Sequence, residues 1–477
     1  MPDAGDVSER LGRDELVALV IELRVVVEAQ RAQIVELNAR LSANSRNSSR
    51  PGSMDGFSKP ASDSAQSRKR SLRRSSGKKQ GGQDGHDGTR LECVQIPDRV
   101  VEHPPVRCDG CGRDLAGAES VEGGESRQVF DVPPVRALVT VEHVSTSRRC
   151  ECGQVSCGSF PVGVSAPTQY GPGVRALGVY LHVFQHLPYD RACQALSDMI
   201  GAAVSSGTLA GWVSAAAGGL TDFDERLRLL LVSQPVCHFD ETGARIAGRL
   251  GWVHSASTAT LTRYTAHKRR GQEAIDHAGV LSGFRGIAVH DGWAPYRNYT
   301  ECEHGLCNVH HLRELQAAIE AGHLWPVAMS CLLMDTKTLV EAAVAASRNR
   351  LSEKALCELA DSYQTIIGMG HDEHPATTAK KTKAHNLLLR LERHQGDVLR
   401  FAYDFHAPFS NNQAEQDIRM VKLQQKISGC WRTQDGATRF LTIRSYLSTA
   451  RKHGLRPIDV LSRLAAGQPW LPAPAPG

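Results

Sequence analysis

The chain has 477 residues and a net charge of +5, with 56 Lys and Arg against 51 Asp and Glu. That length exceeds one ordinary domain and predicts two or three with linkers. No run of about 18 apolar residues occurs, and the acidic, polar amino terminus lacks the basic start and apolar core of a signal peptide, so a membrane-spanning or secreted protein is excluded and a cytoplasmic one expected. The 13 cysteines are odd in number and unevenly spread, which argues against a disulfide framework and for metal-binding clusters plus buried thiols.

Taken in chain order, residues 13–43 read as a coiled-coil helix. Leu16, Leu23, Gln30 and Leu37 fall at d positions, and Val20, Val27, Ile34 and Leu41 at a. β-branched residues at a with Leu at d favour a parallel dimer. Residues 44–90 have no apolar periodicity and are rich in Ser, Gly, Lys and Arg, a composition that cannot bury a core. Arg68, Lys69, Arg70, Arg73 and Arg74 make this linker a basic arm able to bind DNA phosphates by counterion release.

Residues 91–166 read as a β-rich, cysteine-rich module. Cys108-Asp109-Gly110-Cys111-Gly112 has zinc-knuckle spacing, and Cys150 with Cys152 supplies the partner pair. Four thiolates suit a structural Zn²⁺ ion. The second pair has a one-residue spacer, so Cys157 stands as an alternative ligand. Residues 167–232 are helical, and the segments around Asp190–Leu196 and Ser205–Trp212 flank a turn at Gly201. That pattern is compatible with a helix-turn-helix and equally with a plain helix pair.

Residues 233–430 carry the expected catalytic core. Strands are predicted at 236–242, 250–257 and 259–266, a helix at 271–279 and a fourth strand at 287–290. A meander followed by a helix and another strand begins a ribonuclease-H-like sheet. A helical insertion is expected at about 312–405, C-terminal helices at 431–468, and a disordered Pro-rich tail at 469–477. The fold class is therefore multidomain α/β.

Three carboxylates stand out on this frame. Asp240 and Asp291 follow or end predicted strands 51 positions apart, and Glu415 opens a cation-rich helix 124 positions further on. Carboxylates converging from two strands and a helix make a hard-oxygen site for Mg²⁺, or Mn²⁺, suited to phosphodiester chemistry. Asp240 is the candidate bridging ligand. Glu415, Arg419 and Lys422 recur at i, i+4 and i+7, so Arg419 and Lys422 would follow a phosphate backbone along one helix face. Trp293 and Tyr296, close behind Asp291, either stack on an unpaired base or belong to the core.

Asp240-Glu241-Thr242, His290-Asp291-Gly292-Trp293, Asn411-Asn412-x-Ala414-Glu415-x-x-x-Arg419 and Gly436-Ala437 before Ser445-Tyr446 together resemble the insertion-sequence-66 family of bacterial DDE transposases. The amino-terminal coiled coil, the Asn44 to Pro51 segment and the cysteine module fit the same order. The resemblance implies a ribonuclease-H-like core that uses Asp240, Asp291 and Glu415 to cut element ends and join the 3′-OH to target DNA. It further implies zinc-assisted recognition of DNA ends, a homodimer or larger assembly, and partner proteins encoded by the same element. Two other readings of the residues stay open, a nuclease without strand transfer and an inactive zinc-dependent DNA-binding regulator. Cys307-x-x-His310, extended by Cys302, His304 and His311, marks either a second metal site or a packed strand-to-helix junction.

Overall fold

The computed structural model describes residues 93–119, 127–129, 138–152, 154–374 and 382–473, together with Arg24, Val27, Gln30 and Ile34. The coiled-coil span, apart from those four helical, exposed residues, and the basic arm with Arg68, Lys69, Arg70, Arg73 and Arg74 lie outside the described residues. The chain divides into two compact units, residues 61–139 and the remainder.

In the smaller unit, Arg107 and Asp114 pair across a tight turn that holds Cys108 and Cys111. Within that turn the Gly112 amide donates to the Cys108 carbonyl at 2.8 Å, and the Cys108 amide to the Arg113 carbonyl at 2.9 Å. In the larger unit, β1 (Ser147–Arg149) and β2 (Val155–Cys157) form a hairpin whose turn carries Cys150 and Cys152. Residues 91–166 are less regular than expected. Among the described residues there, these two three-residue strands are the only ones.

A five-stranded sheet organises the larger unit. Its strands are β3 (Val236–Ile246), β4 (Arg249–Ser257), β5 (Thr262–His267), β6 (Ile287–His290) and β7 (Glu303–Leu306), in the order β5-β4-β3-β6-β7. β3, β4 and β5 form an antiparallel meander, whereas β6 and β7 run parallel to β3. The β3–β4 hairpin closes through Ala247-Gly248, both at positive φ, as a two-residue I′ turn requires. β3 therefore runs four residues beyond its predicted end. Along β3, Cys237, Phe239 and Glu241 are buried while His238, Asp240 and Thr242 are half-buried, the period-2 pattern of a strand with two unlike faces.

Helices cover the sheet. α1 (Pro172–Val179), α2 (Tyr189–Ile200), α3 (Ser206–Gly218) and α4 (Thr221–Val232) precede it, and α5 (Gln272–Ala278) links β5 to β6. After β7 comes the expected insertion, starting at α6 (Asn308–Glu320) and continuing through α7 (Trp325–Ala345), α8 (Glu353–Glu373) and α9 (Lys383–Arg393) to two single turns, α10 (Gln395–Val398) and α11 (Arg400–Tyr403). It has a core of its own around Leu315, Trp325, Tyr363 and Leu388. The chain then returns to the sheet as α12 (Asn412–Ser428), α13 (Gln434–Lys452) and α14 (Pro457–Ala465), whose apolar faces join the main core.

α2 and α3 flank a five-residue turn that begins at left-handed Gly201 and ends at the Ser205 N-cap. The second helix packs against α1 and α13, and its exposed positions are Gly207, Thr208, Gly211, Ala215 and Gly218.

Candidate active site

Strand register brings the first two carboxylates together. Val236, Cys237 and His238 pair with Ile287, Ala288 and Val289. Continued two residues, the same parallel register sets Asp240 level with Asp291, on adjacent strands about 4.8 Å apart. Asp291 lies just past β6, where Gly292 turns the chain at φ 89°. Its Oδ1 accepts the Trp293 amide at 2.9 Å, an Asx turn that fixes the carboxylate.

Buried histidines hold that turn from beneath. His290 Nδ1 accepts the Gly292 amide at 3.0 Å, so its Nε2–H donates to His304 Nδ1 at 3.0 Å, and His304 Nε2–H donates to the Tyr299 carbonyl at 3.2 Å. Burial, then the charges of His304 and Arg297, drive the His290 pKa well below the ordinary imidazole value. A neutral ring with a single tautomer is what this chain of bonds needs.

Glu415 reaches the same point from the first turn of α12. Asn411, buried immediately before that helix, ties it to both flanking elements. His238 Nδ1 donates to Asn411 Oδ1 at 2.8 Å, Asn411 Nδ2 donates to the Phe239 carbonyl at 2.8 Å, and the Asn411 amide donates to Cys307 Sγ at 3.1 Å. Lys422, two turns on, donates to the Gly243 carbonyl at 2.7 Å. Its ammonium docks α12 on β3, and burial lowers its pKa. Arg419 is exposed.

The electrostatics register the convergence. Burial, then the neighbouring charges of Glu241 and Asp291, with a smaller push from Glu415, raise the Asp240 carboxyl to about 8 against the lowering effect of the Glu241 amide. Carboxylates that crowd one another and lack a counter-charge are the ordinary signature of a cation site. Glu415 Oε1 is buried without a hydrogen-bond partner, and its nearest cation, His310 Nε2, is 3.8 Å away, too far for a hydrogen bond. Asp240 feels the charges of both Asp291 and Glu415, yet among the described residues these three carboxylates do not bring their oxygens within 4.8 Å of one another as a ligand group.

Cys307, His310 and Glu415 keep their ligand atoms within 4.8 Å of one another, and among the described residues they form the sole such group of three. Burial opposes protonation of His310, but the hydrogen bond and charge of Cys307, then Glu415 and Asp291, outweigh it and raise the ring to about 9. The neighbouring candidates are occupied elsewhere. Cys302 Sγ lies 3.2 Å from the Tyr299 carbonyl, His304 belongs to the His290 chain, and His311 bonds Asn308. Of the five Cys and His residues in this segment, Cys307 and His310 alone join a carboxylate in a group that could hold a metal ion.

Behind the carboxylates lies a group that the sequence did not single out. Glu241 points to the opposite face from Asp240, with its side chain 1 % exposed. It is gripped by Arg270 and by the Tyr296 hydroxyl. Tyr296 is itself buried, so it is a core residue with no face for a base, and the stacking reading is overturned for it. The missed signal was phase, since Glu241 alternates with buried Cys237 and Phe239. A carboxylate on that face needs a cation.

Comparison with known families decides the identity. The description "Transposase IS66 family" matches residues 167–439, from just before α1 into α13, and takes in all three carboxylates. The chain belongs to the IS66 transposase family. A second match, over residues 2–92, is to a family of unknown function. The curated proteins contain no match. Membership makes this IS66 chain a transposase, and DNA its partner. Among the described residues no helix is long and apolar enough to cross a membrane.

The thiols sort less completely. Cys108 and Cys111 share one turn and Cys150 and Cys152 another; backbone and side-chain hydrogen bonds within each turn lower the pKa of Cys108 and of Cys150. Cys157 pairs opposite Ser147 at the open end of the β1–β2 hairpin, two residues (about 7 Å) beyond the strand end nearest the turn.

Proposed function

We propose that this transposase is a DDE enzyme with a ribonuclease-H-like core. Asp240, Asp291 and Glu415 hold Mg²⁺ or Mn²⁺, cleave DNA at the ends of an insertion sequence and join the freed 3′-OH to target DNA. The observation that carries the reading is the level register of Asp240 and Asp291 beside a helix-borne Glu415 with an unsatisfied buried oxygen. Strand order supports it too, since an antiparallel meander flanked by two parallel strands is the ribonuclease-H-like arrangement.

Each residue has a stated task. Bound divalent ions would supply an activated attacking oxygen and stabilise the leaving one. Asp240, central between the other two acids, gives up its proton when the site is loaded. Asp291 is oriented by its Asx turn and Glu415 by the Asn411 clamp. His310 stands beside Glu415 as a positive charge at the edge of the site, where negative charge grows on a phosphoryl group under attack. Two thiol pairs, Cys108 with Cys111 and Cys150 with Cys152, each offer ligands for structural Zn²⁺ in DNA-end binding, and the amino-terminal helix pairs two copies so that two ends meet.

The test uses purified full-length protein and DNA carrying the element ends. Asp240→Asn abolishes cleavage while end binding persists; cleavage at the parental rate would refute the site. Strand transfer from pre-cut ends separates a transposase from a simple nuclease, which would cut without joining.

A further inference from the structure

Arg270 is set in an unusually constrained position for a half-exposed cation. Its Nε and Nη2 both donate to Glu241 Oε1, at 2.9 and 2.5 Å, and its guanidinium lies 4.1 Å from the Trp293 ring centroid and 5.0 Å from that of Trp252. Trp252 belongs to β4 and pairs with Gly243. Trp293 belongs to the Asp291 turn. A planar ion is thus held between the meander and the turn.

The consequence lies in what these contacts grip. Trp293 donates its amide to Asp291 Oδ1, and Tyr296, three residues on, donates its hydroxyl to Glu241 Oε2. The two aromatic rings meet edge to face with centroids 5.9 Å apart. Glu241 in turn follows Asp240 directly, and its amide donates to Asp240 Oδ1 at 2.9 Å. One ion pair therefore fastens the backbone that aims Asp291 to the backbone that aims Asp240. A buried carboxylate without a partner is strongly disfavoured, so losing the guanidinium releases both ends of this link.

We propose that Arg270 is a positioning residue for the carboxylate site, holding the Asp291 turn at the height of Asp240 through Glu241 and Trp293. The inference rests on the carboxylate reading above. The geometry demands arginine in particular, because an ammonium has neither a flat face to lie against two indoles nor a fork for the carboxylate. Mg²⁺ tolerates little departure from octahedral geometry, so a loosened pair of acids would weaken metal use before it unfolds the chain.

The experiment compares Arg270→Lys, Trp293→Phe and the parent as full-length proteins. It measures the Mg²⁺ concentration for half-maximal end cleavage, the melting temperature and end-DNA binding. Arg270→Lys raises the half-saturating Mg²⁺ concentration by about 10- to 100-fold with end binding retained, and Mn²⁺ recovers most of the cleavage. Trp293→Phe, which keeps an aromatic face, moves the same quantity in the same direction by less, and carries the test alone should the lysine variant not fold. An unchanged Mg²⁺ requirement, with activity following melting temperature, overturns the proposal. Asp240→Asn separates the two failures: if it still cleaves, the carboxylate site is wrong, and if it is inactive while Arg270→Lys keeps the parental Mg²⁺ requirement, only the role of Arg270 is.

Discussion

Magnesium binding should weaken steeply as pH falls through 8, because the site carries a proton that the metal must displace. In the metal-free protein Asp240 titrates at about 8, raised mainly by burial and by Glu241 and Asp291. The sign follows directly. Above that pH the carboxylate is ionised and affinity is full; below it each pH unit costs about tenfold, or about 1.4 kcal/mol. Apparent affinity at pH 7 is then about tenfold below its value at pH 9, and at pH 6 about a hundredfold below. The same shift acts on folding. An aspartate whose folded pKa exceeds its unfolded value of about 3.9 withdraws stability as pH rises from about 4 to 8, by on the order of 5 kcal/mol at most. Metal-free protein therefore melts lower at pH 8 than at pH 6, and Mg²⁺ narrows the gap. Calorimetric titration with Mg²⁺ in two buffers of different ionisation enthalpy counts the protons released. Affinity that stays flat from pH 6 to 8, or Asp240→Asn releasing as many protons as the parent, would refute the reasoning.

Three further outcomes are expected. A methyl group on Gly286 would lie 2.3 Å from the Pro235 carbonyl oxygen, so Gly286→Ala should push β6 off β3 and destabilise the protein by about 3 kcal/mol or more, read by thermal melting. Lys452 donates to Asp417 Oδ2 at 2.7 Å and to the carbonyls of Thr258 and Leu261 at 2.7 and 3.1 Å, and both ends of the ion pair are mostly buried. Lys452→Met should cost about 3–5 kcal/mol, and adding Asp417→Leu should recover part of it, because the stranded carboxylate is then gone; a double variant no better than the single one contradicts this. Cys108→Ser should reduce zinc content, measured by atomic absorption, and impair end binding more than cleavage of a pre-bound end; undiminished zinc removes Cys108 from the ligand set.

Much of the core was legible because its strands are long and bordered by turn residues. Alternation located β3, β4 and β5, the short apolar run Ile287-Ala288-Val289 located β6, and the spacing from Asp291 to Glu415 revealed the helical insertion. β7 was not legible. Glu303-His304-Gly305-Leu306 is four residues long, half of it polar, and it becomes a strand only because β6 offers an unpaired edge. Tertiary context also decided the fate of the cations. Lys422 sits at the correct helical phase for a phosphate contact, yet the sheet beneath α12 presents it with the Gly243 carbonyl. Arg270 showed the reverse. Nothing in the sequence marked it, and only the folded positions of Glu241, Trp252 and Trp293 give it a particular task.

The long insertion between Asp291 and Glu415 has a consequence for synthesis. A ribosome adding about 5–20 residues per second needs roughly 6–25 seconds to cover the roughly 120 residues between them. Throughout that interval the emerging sheet holds two acids and lacks the third, and the Asn411 clamp does not yet exist. A product that stops before residue 415 thus carries two of the three proposed acids and lacks the third.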